Sequence, residues 1–401
     1  MATWPWDKLP QLRILFCNYE YPPLGGGGGV VMAALARDLA RRHAVTVLTS
    51  RAGDLSAESD DRGVRVIRVP VLFRRQLSVA NFPSMFAYLP MAAWRAARMR
   101  GNSGFDVVNT HFVVPTGPVG QWIADRYGIP NVLSVHGGDL YDPSKRLSPH
   151  RHGWMREPIR RMLQRADAVV AQSNNTLGNV SDIYGVRRNV DLIPLGIERP
   201  RANIRASRAD FGLPADAFVL VTVGRLVARK QTTQLVAAMA KSGVEHAHLL
   251  VVGSGPDELP IREAAAAHGV SGRVHLLGSL GEVDKYRAIA AADVFASTSQ
   301  HEGFGLVFLE AMAMGLPVIC YDHGGQTDYL STGSTGHVLH LNDATAFSNA
   351  IRELSMSAER SRRFGEFNRA RVEEYFIDRC AERYEAVMQR AIDARAARIR
   401  G

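Results

Sequence analysis

"LRILFCNYEYPPLGGGGGVVMAALARDLARR", residues 12–42, is the stretch on which the fold turns. Its apolar run at 12–17 reads as a strand and residues 29–42 as a helix. The turn "YPPLGGGGGV" (21–30) joins them. Five glycines expose backbone N–H groups and let a ligand come close, and at a helix N-terminus such a loop favours a phosphate. The competing reading is a flexible surface loop. A dinucleotide fingerprint needs G-x-G-x-x-G. Gly25 and Gly27 begin one, but Val30 stands in the third glycine position, and the second strand ends in "LTSR" with no acidic residue. Arg51 suits a 2′-phosphate, which keeps an NADP-dependent oxidoreductase open as an alternative.

The same alternation continues outward. Strand-like runs at 44–49, 64–69, 106–110, 131–136, 168–172 and 190–194 are separated by helical stretches, and a second series follows at 218–224, 248–253, 273–278, 294–298 and 317–321. Strands alternating with helices make a parallel sheet covered on both faces. Between the series lies "LGIERPRANIRASRADFGLPADA" (195–217), rich in Pro, Gly and charge, where the domain connection is placed. A chain of 401 residues also exceeds one ordinary core. The expectation is an α/β protein of two tandem Rossmann-like domains, 1–195 and 196–377, facing a central cleft. A last helical stretch, 367–395, has no following strand and can pack on either domain.

Residues 1–195 hold 24 Lys+Arg against 15 Asp+Glu, and residues 196–401 hold 24 against 24, so the whole net charge of +9 sits in the first half. That suits a phosphate-bearing ligand or an anionic membrane surface; ordinary surface arginine explains it equally well. Cys17, Cys320 and Cys380 are far apart, form no metal-type spacing and are odd in number, which fits small core residues in a reducing cytoplasm. "MATWPWDKLP" does not read as a signal peptide, and no run of about 18 apolar residues reads as a spanning helix. No motif for docking nucleic acid is present.

The second half carries its own chemistry. In "VGRLVARK" (223–230) a strand ends at Gly224 and Arg225 and Lys230 follow, two cations able to grip a diphosphate. "VVGSGP" (251–256) adds a glycine turn at Gly253. In "QHEGFGLVFLEAMAMGLPVI" (300–319) Glu302 and Glu310 stand eight residues apart. Eight steps of about 100° fall roughly 80° past two full turns, so the pair does not share one face of a continuous helix. Glu302 belongs to the entry loop and Glu310 to the helix, reading two parts of one elongated ligand. A carboxylate accepts from two hydroxyls and so suits a sugar ring or a ribose; alone, either glutamate is more often surface charge.

With "VGRLVARK", "VVGSGP", "VHLLGSL", "HEGFGLVFLEAMAMGLPVICYDHGG", "NYEYPPLGGGGG" and "SVHGGD" in this order, the chain resembles the retaining glycosyltransferases of family four, of GT-B architecture, over nearly its whole length. Its E-x7-E motif is Glu302 to Glu310. It departs in having "RKQ" after "VGRLVA", which leaves Lys230 in place, and "PLGIE" at 194–198. The resemblance implies a UDP- or GDP-sugar donor, with Arg225 and Lys230 on its diphosphate. It implies Glu302 on the donor sugar beside the amides of Gly303, Phe304 and Gly305, and Glu310 on the ribose. Ser279 and Leu280 would border the base, Gly26 and Gly27 would approach the diphosphate, His136 would lie near the transferred sugar, and the final helix, about 378–401, would cross back to the first domain. It further implies retention by front-face displacement. With no D-x-D in the chain, no metal requirement is expected.

His136 ends the run "NVLSVH" before Gly137 and Gly138, where a structural histidine and a functional one are equally expected; Asp139 caps the turn or meets the acceptor. "PVLFRRQLSVANFPSMFAYLPMAAWRAARMR" (70–100) sets Phe82, Phe86, Tyr88 and Trp94 between Arg74 and Arg75 and Arg95, Arg98 and Arg100. It reads as a core-packing helix pair with snorkelling arginines or as a groove for a lipid-linked acceptor at the inner membrane face, with Pro83 and Pro90 expected to break any long helix. Besides the oxidoreductase, a non-catalytic nucleotide-sugar sensor is the other alternative to a transferase serving a glycan or lipid-linked acceptor.

Overall fold

The computed structural model describes residues 11–72, 82–99, 104–142, 147–202 and 204–400. The chain divides into two compact units, Met1–Gly196 with Ile377–Gly401, and Ile197–Phe376.

The first unit holds strands β1 (Arg13–Asn18), β2 (Ala44–Arg51), β3 (Glu58–Asp61), β4 (Val64–Pro70), β5 (Val107–His111), β6 (Asn131–Val135), β7 (Ala168–Ala171) and β8 (Val190–Leu192), ordered β3-β4-β2-β1-β5-β6-β7-β8. Every residue of β5, β6 and β7 is buried, as expected of strands covered on both faces. The parallel expectation fails at one edge, where β3 runs antiparallel to β4. Its sequence, ESDD, has no apolar run to betray a strand. Ion pairs hold it instead: Glu58 with Arg65 at 3.0 Å and Asp61 with Arg37 at 2.9 Å. A short acidic edge also discourages pairing with other chains. The chain goes from β1 to β2 on one side and later to β5 on the other, so the switch point lies between β1 and β5.

Pro83 and Pro90 do not break the helix they were expected to break. Phe82–Arg98 is one helix of 17 residues. Pro83 falls in its first turn, where no N–H is needed. Pro90 is exposed, so the carbonyl it leaves unpaired faces water, while Tyr88, Ala92 and Ala96 pack at helical spacing into a core with Leu48, Ile67 and Val69. Arg74, Arg75 and Arg100 lie outside the described residues. The last helix, Ile377–Arg400, sets Tyr384, Met388 and Ala391 into another core of the first unit, beside Ile14, Ala36 and Val45.

The second unit is a parallel sheet of β9 (Phe218–Val223), β10 (Ala247–Val252), β11 (Val274–Gly278), β12 (Val294–Ser297), β13 (Val318–Tyr321) and β14 (Gly336–Leu339), ordered β11-β10-β9-β12-β13-β14. Its switch point lies between β9 and β12. β14, four residues at the edge, has too short an apolar run to be read from sequence. The three cysteines are free and buried. Among the described residues, no helix is long and apolar enough to cross a membrane.

Candidate functional site

In the second unit the turns after β9, β10 and β11 are stitched into one shelf. Leu226 N donates to Ser254 O at 3.0 Å and Gly253 N to Gly278 O at 2.8 Å. Only glycine fits at Gly253, because a Cβ there would lie 1.8 Å from the Gly224 carbonyl oxygen. Ser279 is exposed with its hydroxyl 2.7 Å from that of Ser254, and Leu280 beside it is half-buried.

The loop after β9 is latched to the end of β12 by the Thr298 hydroxyl, which donates to the Gln231 carbonyl at 2.7 Å. The latch sets Lys230 and Glu302 together at the switch point. Lys230 Nζ donates to Glu302 Oε1, and Arg229 lies 3.5 Å from Oε2 while donating to the His301 carbonyl. Glu302 is only 6% exposed. Burial alone would push its carboxyl up, but Lys230 and Arg229 outweigh burial and hold it at about 2. A bridge to Gly324, with Gly325 N donating to Glu302 O at 2.8 Å, fixes its backbone.

Glu302 thus precedes, and Glu310 lies within, the helix Leu306–Ala313. Gly303, Phe304 and Gly305 form the entry, where the Tyr329 hydroxyl sits 2.7 Å from the Phe304 carbonyl and 2.8 Å from that of Gly305. Glu310 Oε1 pairs with Lys285 at 2.8 Å, and Lys285 also reaches Glu282 at 3.0 Å. Burial resists the ammonium's charge, yet the two carboxylates raise its pKa. One cation cannot satisfy both, and burial pushes Glu310 up. Glu310 Oε2 is buried with no hydrogen-bond partner among the described residues. Arg225 is exposed.

In the first unit two uncharged histidines stand beside the switch point. His136 is buried, and its Nε2 lies 3.1 Å from Nδ1 of His111, the last residue of β5. Burial pushes His136 down to about 4 and His111 well below its usual range. Asp139 accepts from His136 N at 2.9 Å and Val113 N at 2.8 Å, which is the turn-capping role. In the glycine loop, Gly28 leaves room for the Phe112 ring, which a Cβ would meet at 2.7 Å. Gly26 has open space around it, ahead of a helix that begins at Gly27. Its amide donates to Glu20 Oε2 at 3.3 Å.

Two family descriptions divide the chain between them: "Glycosyltransferase Family 4" matches residues 25–201 and "Glycosyl transferases group 1" residues 203–371. The 2-deoxystreptamine N-acetyl-D-glucosaminyltransferase of Streptomyces fradiae is 30% identical over 358 residues, covering 84% of each chain. The chain belongs to glycosyltransferase family four. The transferase is also 26% identical to the N-acetyl-alpha-D-glucosaminyl L-malate synthase of Bacillus anthracis over 92% of its own length and 94% of that protein's. In fold it matches the sucrose-phosphate synthase of Thermosynechococcus elongatus (TM-score 0.82, 23% identity, 96% and 100% of the two chains). It also matches Anabaena HepE in complex with UDP and glucose (TM-score 0.76, 19% identity, 94% and 100%). The two-domain α/β architecture of the GT-B kind is therefore the transferase's fold, and the oxidoreductase and sensor alternatives fall away.

Sequence reasoning missed three partners in the transferase. Arg229 stands beside Lys230 and was legible as a second cation. His111 ends a strand just as His136 does. Lys285 gave no signal, because only the tertiary fold brings its helix to Glu310.

Proposed function

We propose that the transferase moves a hexose-type sugar from a nucleoside-diphosphate sugar, UDP- or GDP-linked, to a glycan or lipid-linked acceptor with retention of anomeric configuration. The cluster of Lys230, Arg229 and Glu302 at the β9/β12 switch point carries this reading. In the structure Lys230 and Glu302 neutralise one another. A diphosphate offers Lys230 a stronger partner and frees Glu302 for the sugar hydroxyls. Arg225 adds a third cation from the same loop. The buried, uncommitted Oε2 of Glu310 accepts from the ribose, an arrangement that offsets the cost of leaving it unpaired. His136 meets the sugar being transferred.

In the reaction the bond from the anomeric carbon to the diphosphate oxygen breaks. The bond to the acceptor oxygen forms on the same face, and the acceptor proton passes to the departing phosphate oxygen. Lys230 and Arg225 stabilise the charge that grows there. The test is thermal stabilisation by a panel of UDP-, GDP- and ADP-sugars, followed by the anomeric coupling constant of the product. An α product from an α donor supports the reading, and an inverted product overturns retention.

We further propose that the acceptor side meets an anionic bilayer. Phe86, Pro90 and Trp94 share one exposed face of the helix Phe82–Arg98, and Arg98 stacks 3.6 Å from the Trp94 ring. Flotation with anionic vesicles at low salt is expected, and its absence removes the membrane claim.

A further inference from the structure

We propose that His111 is a positioning residue that holds His136 as its Nδ1–H tautomer, so that the first unit offers the substrate a hydrogen-bond donor. This rests on the reading that His136 meets the sugar. The two imidazoles are 3.1 Å apart, Nδ1 of His111 to Nε2 of His136, and one of these nitrogens must give the proton. The ring of His111 is held by stacking on Phe16, 5.4 Å between centroids and 4° from parallel.

The neighbours decide the direction. Asn18 stands in register with His111 across β1 and β5, and Asn109 lies two residues back on the same face of β5. Asn18 Oδ1 accepts from the Glu20 backbone N–H at 3.2 Å, which fixes its amide, and its Nδ2 has no partner among the described residues; nor has that of Asn109. Around His111, then, donors are in surplus. Beside His136 the surplus is of the opposite kind. Gln172 gives its N–H to the His136 carbonyl at 2.7 Å, which fixes that amide, and its Oε1 is left over. A proton on His111 Nδ1 leaves a lone pair on Nε2, which no described group reaches within hydrogen-bond distance but which shares its face of the sheet with the two unpaired amide donors. His136 then accepts at Nε2 and carries its own proton on Nδ1, the ring nitrogen with no partner among the described residues. The reverse arrangement adds another donor to a donor-rich pocket, where unpaired polar groups are costly.

The test is long-range 1H–15N spectroscopy of the 15N-histidine enzyme, with the His136 signals assigned by their loss in His136→Gln. The expected spectrum shows His136 protonated at Nδ1 and bare at Nε2; the opposite tautomer overturns the proposal. His111→Phe keeps the stacking and loses the donor. It should move the His136 proton and cut kcat about tenfold, the worth of one hydrogen bond, with donor KM nearly unchanged. His111→Asn, whose amide N–H stands where Nδ1–H stood, should restore both. Equal loss in the two variants with no change of tautomer means a structural role only and overturns the proposal. Wild-type turnover in His136→Gln sinks the reading of His136 and the catalytic value of its positioning together, while the spectrum still decides which residue sets the tautomer.

Discussion

The two switch points of this transferase carry different chemistry. Between β9 and β12 the groups are ionic and paired: Lys230 and Arg229 on Glu302, Lys285 on Glu310. Beside β1 and β5 the paired rings of His111 and His136 are neutral and buried, and the carboxylate of Asp139 is held by backbone amides. Yet the whole net positive charge of the sequence falls in its first half. Bulk charge therefore says little about the charge of a site. The second unit balances its cations locally, and that balance is what we propose a diphosphate displaces.

The contrast is broken most severely at Glu302. Glu302→Gln keeps the shape and removes the charge, and kcat should fall by about 100-fold or more while UDP or GDP affinity stays within a few-fold. Steady-state kinetics with nucleotide titration checks it, and unchanged turnover removes Glu302 from the site.

Acid should weaken the first unit more than the second. His136 titrates near 4 in the folded chain against its ordinary 6.5, so between those values the unfolded chain binds a proton that the folded chain does not. Stability of the first unit then falls as pH drops through that window, by on the order of 3 kcal/mol from His136; His111, also lowered, adds in the same direction. Glu302, held at about 2 against its ordinary 4.5, keeps its contribution until pH falls below that higher value. In the second unit burial also lowers His248, His275 and His337, so it loses some stability in the same direction. Hydrogen exchange at pH 7 and 5, corrected for intrinsic rates, should show β5 and β6 losing the most protection and β10, β11 and β14 less.

The smallest expected effect is at Glu310. Glu310→Gln removes the acceptor charge, and donor affinity should weaken about tenfold with kcat at saturation little changed. A loss of kcat alone would contradict a ribose contact.

Much of this was legible in the residues because it depends on local pattern. The strand runs, the glycine turns and the cations after Gly224 are contiguous features, and the placement of Glu302 outside a helix and Glu310 within it follows from an eight-residue spacing. What escaped depends on contacts distant in sequence. β3 is held by Arg37 and Arg65 and not by apolar alternation, so its acidic residues looked like a loop. Pro90 was read as a breaker because its exposure, which makes the missing bond tolerable, is a tertiary fact. Glu20 lies at Gly26 only because the loop folds back, and Lys285 meets Glu310 only through the packing of two helices.

A structure of the transferase with a bound UDP- or GDP-sugar tests the central claim most directly. The account predicts Lys230 turned from Glu302 to a diphosphate oxygen, Glu302 on the sugar hydroxyls, and the ribose on the Oε2 of Glu310. A donor bound elsewhere, with Lys230 still on Glu302, contradicts it.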